Sequence, residues 1–194
     1  MEALDLFIIE LERQFDDTIK TESGTELFID TRFNEFERRI TEGPVVSAPA
    51  KYDTGVKKGD TLYFHHLVVL NEGQTLTGVD KHYLVYYDPD VAINNQAIAY
   101  KCQDTGEIRP LAGWSLLEAV EEEDEVNSDV LELVKLEKHL PTKGRVAFNA
   151  PWIESLGLKV NDIVGFKKKR DYRITIAGTE YYRTRAEDLL YVEN

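Results

Sequence analysis

The chain is poor in several things that would announce a function. One cysteine, Cys102, stands among 194 residues, so no disulfide can close within the chain and a reducing compartment suits it. No apolar run approaches the roughly 18 residues of a membrane span, and no membrane association is expected. Positive charge is short: 23 Lys and Arg against 36 Asp and Glu leave a net charge of −13. A phosphate backbone selects a basic surface, so no nucleic-acid partner is expected. The one basic run, Lys167-Lys168-Lys169-Arg170, lies between two strand-like segments and reads as a hairpin or loop. Met1 to Asp5 is acidic where a signal peptide starts basic, which points to the cytoplasm.

Catalytic signatures are missing as well. No Gly-Xaa-Gly-Xaa-Xaa-Gly follows a strand, and there is no Walker loop. Cys102 and the four histidines (His65, His66, His82, His139) fall at no metal-ligand spacing, so neither metal nor cofactor is expected. His65 and His66, as neighbours in a strand, would point to opposite faces, one packed and one at the surface. No nucleophile elbow is present. An enzyme is not the expected reading.

What the chain does have is a repeat. Thr41-Glu42-Gly43, Val45-Val46, Ala48-Pro49 and Val56-Lys57-Lys58-Gly59-Asp60-Thr61-Leu62-Tyr63-Phe64 return as Thr142-Lys143-Gly144, Val146-Ala147-Phe148, Ala150-Pro151 and Leu158-Lys159-Val160-Asn161-Asp162-Ile163-Val164-Gly165-Phe166. Gly78 with Gly178, and Tyr83 and Asp90 with Tyr181 and Asp188, continue the correspondence. A period of about 100 residues is the size of a domain and too long for a solenoid unit. Two modules are expected, residues 1–104 and 105–194.

Short β-rich runs dominate both halves: Leu6 to Ile9, Asp60 to Phe64 and Tyr83 to Tyr87, then Trp114 to Leu117, Asp162 to Phe166 and Glu180 to Thr184. Turn residues separate them, which suggests a mainly β fold of small barrels or sandwiches. Helix signals are limited to Phe33 to Ile40 and Trp152 to Leu156. Each half also carries a long acidic stretch ending in apolar residues. In the first (about 14–29) the end is Leu27-Phe28-Ile29; in the second (about 121–133) it is Val130-Leu131-Glu132-Leu133. Charge density and the Ser-Gly and Asn-Ser breakers argue for long loops.

Together these landmarks resemble the GroES (chaperonin-10) co-chaperonin family. Ile108-Arg109-Pro110-Leu111 matches the family's N-terminal phrase and would open the second copy, and Val56 to Phe64 preserves its Val-Lys-Xaa-Gly-Asp signature. Tyr83 to Ile93 looks like its closing segment. The likeness covers nearly all of the chain outside a connector at about 94–107. It implies two tandem GroES-like irregular β-barrels and no catalytic residues. It also implies a GroEL-type chaperonin as partner, bound by mobile loops through Leu27, Phe28, Ile29, Leu131 and Leu133. Glu132 departs from the family by placing a charge among apolar residues, where burial would be costly. Edge strands at Phe7 to Leu11 and Val91 to Ile93 would pair neighbouring modules into a homo-oligomeric ring or dome.

The first loop is longer than the bacterial pattern. The segments from Ala48 to Val56 and from Ala150 to Leu158 are too short for a roof hairpin. That combination resembles phage-encoded co-chaperonins, which would make the compartment a host cytoplasm. Duplication leaves assembly open: seven chains engage one domain each and form a heptamer, or the ring is mismatched to its partner, or no ring closes. The alternative to a co-chaperonin is a structural or virion-associated binding module of the same fold with no chaperonin partner.

Overall fold

Two six-stranded antiparallel sheets carry the chain. The computed structural model describes residues 2–21, 23–31, 38–69, 75–76, 78–91, 94–120, 142–170 and 172–193. Within these the fold is mainly β, and it separates into two compact units, Met1–Ala112 and Gly113–Asn194.

The first unit holds β1 (Leu6–Glu10), β2 (Thr18–Lys20), β3 (Glu26–Phe28), β4 (Glu42–Ser47), β5 (Thr61–Phe64), β6 (His82–Tyr86), β7 (Ala97–Lys101) and β8 (Ile108–Pro110). Its large sheet runs β6-β1-β4-β5-β7-β8, while β2 and β3 form a separate ribbon. Phe7, Ile9, Leu62, Phe64, Val45, Val85 and Ala97 pack into one buried cluster.

Three expectations change here. β1 pairs with β6 on one side and β4 on the other, so it is an interior strand and not a free edge. The other expected edge, Val91 to Ile93, begins in a turn at Val91, and residues 92–93 lie outside the described residues. The supposed connector contains β7, a strand whose Ala97, Ile98 and Ala99 are fully buried. Its other edge takes up β8, through Ala99 opposite Pro110 and Tyr100 opposite Arg109. Ile108 to Pro110 thus completes the first unit's sheet, and the structural boundary falls at Ala112/Gly113, eight residues beyond the expected one.

His65 and His66 do not straddle a strand. The chain leaves β5 at Phe64 and turns into a 3₁₀ segment from His66 to Val69, which lays the two imidazole rings against each other at 4.2 Å. The first expected helix falls mostly on residues 32–37, outside the described residues, and Arg39 forms a β-bridge with Phe15.

The second unit holds β9 (Trp114–Ala119), β10 (Lys143–Val146), α1 (Pro151–Ser155), β11 (Ile163–Phe166), β12 (Tyr172–Ile176), β13 (Thr179–Arg185) and β14 (Leu189–Glu193). Sheet order is β12-β13-β9-β10-β11-β14. Leu117, Val146, Ile153, Val164 and Phe166 form its own buried cluster. α1 is the single turn expected near Trp152, started by Pro151 at a position where a missing N–H costs nothing.

The Lys-Gly-Asp and Val-Asn-Asp signatures build matching turns. In the first, the Asp60 carboxylate accepts from Lys57 N at 2.8 Å and from Gln103 N at 2.9 Å, while Gly59 N donates to Val45 O at 2.9 Å. In the second, the Asp162 carboxylate accepts from Lys159 N at 2.8 Å and Asn161 N donates to Val146 O at 2.9 Å. Gly59 and Asn161 hold φ of 92° and 77°, the left-handed region that glycine and asparagine tolerate best. Each strand that follows ends by donating from its phenylalanine, Phe64 N to Thr41 O and Phe166 N to Thr142 O, both at 2.8 Å.

Candidate functional site

The first acidic stretch is a paired ribbon where a loop was expected. Thr18 faces Phe28, Ile19 faces Leu27 and Lys20 faces Glu26. The tip closes through Thr21: its N–H donates to Thr25 O at 2.9 Å, and Gly24 N donates back to Thr21 O at 2.9 Å. Gly24 supplies the φ of 81° that the turn needs. The charged residues thought to favour disorder are partly used at the root, where Arg13 pairs with Asp16 at 3.1 Å and Asp17 at 3.8 Å.

Below the tip the pairing continues. Ile29 N donates to Asp17 O at 2.7 Å, Asp16 N to Arg38 O at 2.7 Å and Ile40 N to Gln14 O at 3.0 Å. Gln14 Nε2 then donates to the Tyr83 hydroxyl at 2.8 Å, tying the ribbon to β6 of the large sheet. Tyr83 is itself buried, so the arm is fastened to a rigid strand. Tyr83→Phe should loosen this root by about 1 kcal/mol, one ordinary hydrogen bond. Amide exchange at 14–20 and 26–30 should quicken while exchange in β1 and β5 stays unchanged.

The arm presents apolar side chains to solvent. Phe28 is 82% exposed, Leu27 52% and Ile19 45%, while Ile29 is half-buried. Successive strand residues point to opposite faces, so Leu27 and Ile19 share one face and Phe28 stands on the other. A short two-stranded ribbon gains nothing by showing a phenylalanine to water, and an exposed apolar group of this kind fits a docking role. Full burial of the three side chains would supply about 1.5–3 kcal/mol each.

Of the residues expected to bind, Leu27, Phe28 and Ile29 are thus brought together on β3 and its end. Leu131 and Leu133 lie outside the described residues. Ile19 was not anticipated; its cross-strand position opposite Leu27 follows only from the ribbon, which the acidic composition concealed. In the basic run, Asp188 pairs with Lys167 at 3.0 Å and with Arg170 at 3.6 Å. Among the described residues no cluster of His, Cys, Asp and Glu could hold a metal ion. No helix among them is long and apolar enough to cross a membrane.

Fold and site define a mainly β protein of two units, the first bearing an arm with exposed apolar side chains. No family model matches the chain, and no curated protein matches it.

Proposed function

We propose that this protein is a co-chaperonin of the GroES type that docks its arm on a GroEL-type chaperonin and takes no chemical part in the ATP cycle. The observation that carries this reading is the arm itself, with Leu27 and Phe28 exposed on a ribbon rooted through Gln14 and Tyr83. A preformed ribbon loses less conformational entropy on docking than a disordered segment. Each contact remains small enough to release, and several arms on one particle would compensate by avidity.

The tandem reading is supported by strand order. The run β6-β1-β4-β5-β7 in the first unit is matched by β13-β9-β10-β11-β14 in the second, with the Asp60 and Asp162 turns at the same place. In both units the sheet register slips at the residue before the closing phenylalanine, at Tyr63/Phe64 and Gly165/Phe166. Two GroES-like barrels in one chain is the architecture we infer, and a phage source agrees with the long first arm.

A module without a chaperonin partner is the second reading. The ordered pairing of the arm favours it, because a chaperonin-binding loop was expected to be unpaired. The exposure of Leu27 and Phe28 weighs the other way, since an arm with a purely structural role in the free protein would bury them. Mixing the protein with a GroEL-type chaperonin separates the two. Co-elution on gel filtration with ATP or ADP present, and none without nucleotide, is the expected result; no co-elution in either condition would remove the co-chaperonin reading.

A further inference from the structure

The two large sheets end differently at matching strands. β7 and β14 each lie beside the strand that follows an aspartate turn. Each takes one extra residue where that neighbour steps to its closing phenylalanine: Ile98 between Ala97 and Ala99, and Leu190 between Leu189 and Tyr191. On its other side β7 receives β8, through Ala99 opposite Pro110 and Tyr100 opposite Arg109, and Leu111 N donates to Ile98 O at 2.8 Å. β14 is the last strand of its sheet, and among the described residues no strand pairs with its outer edge. The side chains reflect the difference. Ile98 and Ala99 are fully buried, whereas Leu190 is 58% exposed and Tyr191 50%.

The other three sheet edges are guarded. On β6, Leu76 N donates to His82 O at 3.0 Å, and the Gln96 side chain takes the Tyr86 N–H at 3.0 Å. β8 ends in Pro110, which has no N–H to offer, and β12 carries the charged Arg173. β14 has none of these devices, since Leu189 to Val192 is uncharged and free of proline. Its one charge, Glu193, is matched by Lys143 at 2.8 Å.

We propose that β14 pairs antiparallel with β14 of a second copy of this chain about a two-fold axis, covering Leu190 and Tyr191 of both. The matching edge of the first unit is filled by a strand of this same chain, β8. The segment ahead of β1 is not the occupant, because Ala50 N already donates to Ala3 O at 3.0 Å and Lys51 N to Leu4 O at 2.9 Å. Self-pairing also suits the residues. With Tyr191 on the axis, Leu190 of one copy faces Val192 of the other, and the two Glu193 carboxylates stay at opposite ends. A contact of this symmetry closes at two chains. Two five-residue strands bury less than about 1,200 Å², the range of reversible complexes. The inference uses neither the arm nor the chaperonin reading.

The test is sedimentation of the full chain over about 1–100 μM, the range suited to so small an interface. The parent should pass from one to two chains of 22.3 kDa as concentration rises. Leu190→Lys brings two like charges to the pairing edge and should raise the dissociation constant at least about tenfold. Its circular dichroism should match the parent's, because Leu190 is mostly exposed within one chain. Leu190→Thr, which removes the apolar cover without adding charge, serves as the comparison if the Lys variant does not fold. Amide exchange locates the contact: protection in β14 should rise with concentration in the parent, and protection in β12 should not. A parent that stays a single chain throughout, a particle with an odd number of chains, association that survives both Leu190 variants, or β14 protection independent of concentration would overturn the proposal.

Discussion

Phe28→Glu is expected to abolish the proposed chaperonin binding and to leave the protein folded. Phe28 is 82% exposed at the end of β3, so the free protein loses almost no packing when it is replaced. The proposed docked state would lose the transfer of a phenyl ring from water, about 1.5–3 kcal/mol per arm. It would also place a carboxylate in the apolar groove that the proposal requires, which costs several kcal/mol more unless a partner is found. At 1.4 kcal/mol per decade, even the first of these weakens each arm roughly tenfold to a hundredfold. If several arms act on one particle, the loss multiplies. Gel filtration with chaperonin and nucleotide reads the result, and circular dichroism checks the fold. Binding at the parent's level in this variant would mean that the arm is not the contact.

Phe64→Ala should have the largest effect on stability. Phe64 is fully buried at the end of β5 and belongs to the cluster of Phe7, Ile9, Leu62 and Val85. Truncating a buried phenylalanine costs about 3–5 kcal/mol, from lost transfer energy and the cavity left behind. The second unit keeps a separate buried cluster around Leu117, Ile153, Val164 and Phe166. Amide exchange in β1 and β5 should therefore accelerate by about a hundredfold or more, while exchange in β9 and β11 changes far less. Equal acceleration in both units would show that they unfold as one cooperative body.

Local chemistry decided what could be read from sequence. The turns at Gly59-Asp60 and Asn161-Asp162 were legible because each needs a left-handed residue and a carboxylate at fixed spacing. The strands that follow were legible from their β-branched and aromatic residues. β7 was not: Ala97-Ile98-Ala99 has weak strand propensity, and its place was decided by non-local pairing with β5 and β8. The same cause hid the role of Ile108 to Pro110, whose partner is fixed by sheet order and not by its own residues. The arm was misread because acidic composition suggested a loop, whereas Arg13 at its root and Thr21 at its tip support pairing. In the candidate site, Leu27, Phe28 and Ile29 were singled out through resemblance alone; the structure leaves Leu27 and Phe28 exposed and Ile29 half-buried.

The most direct measurement is the mass of the purified protein, alone and mixed with a GroEL-type chaperonin with and without nucleotide. A chaperonin that gains mass only with nucleotide, by a whole number of these 22.3 kDa chains, is what the account predicts. A protein whose mass never joins the chaperonin's would contradict it, leaving the two β units standing without this function.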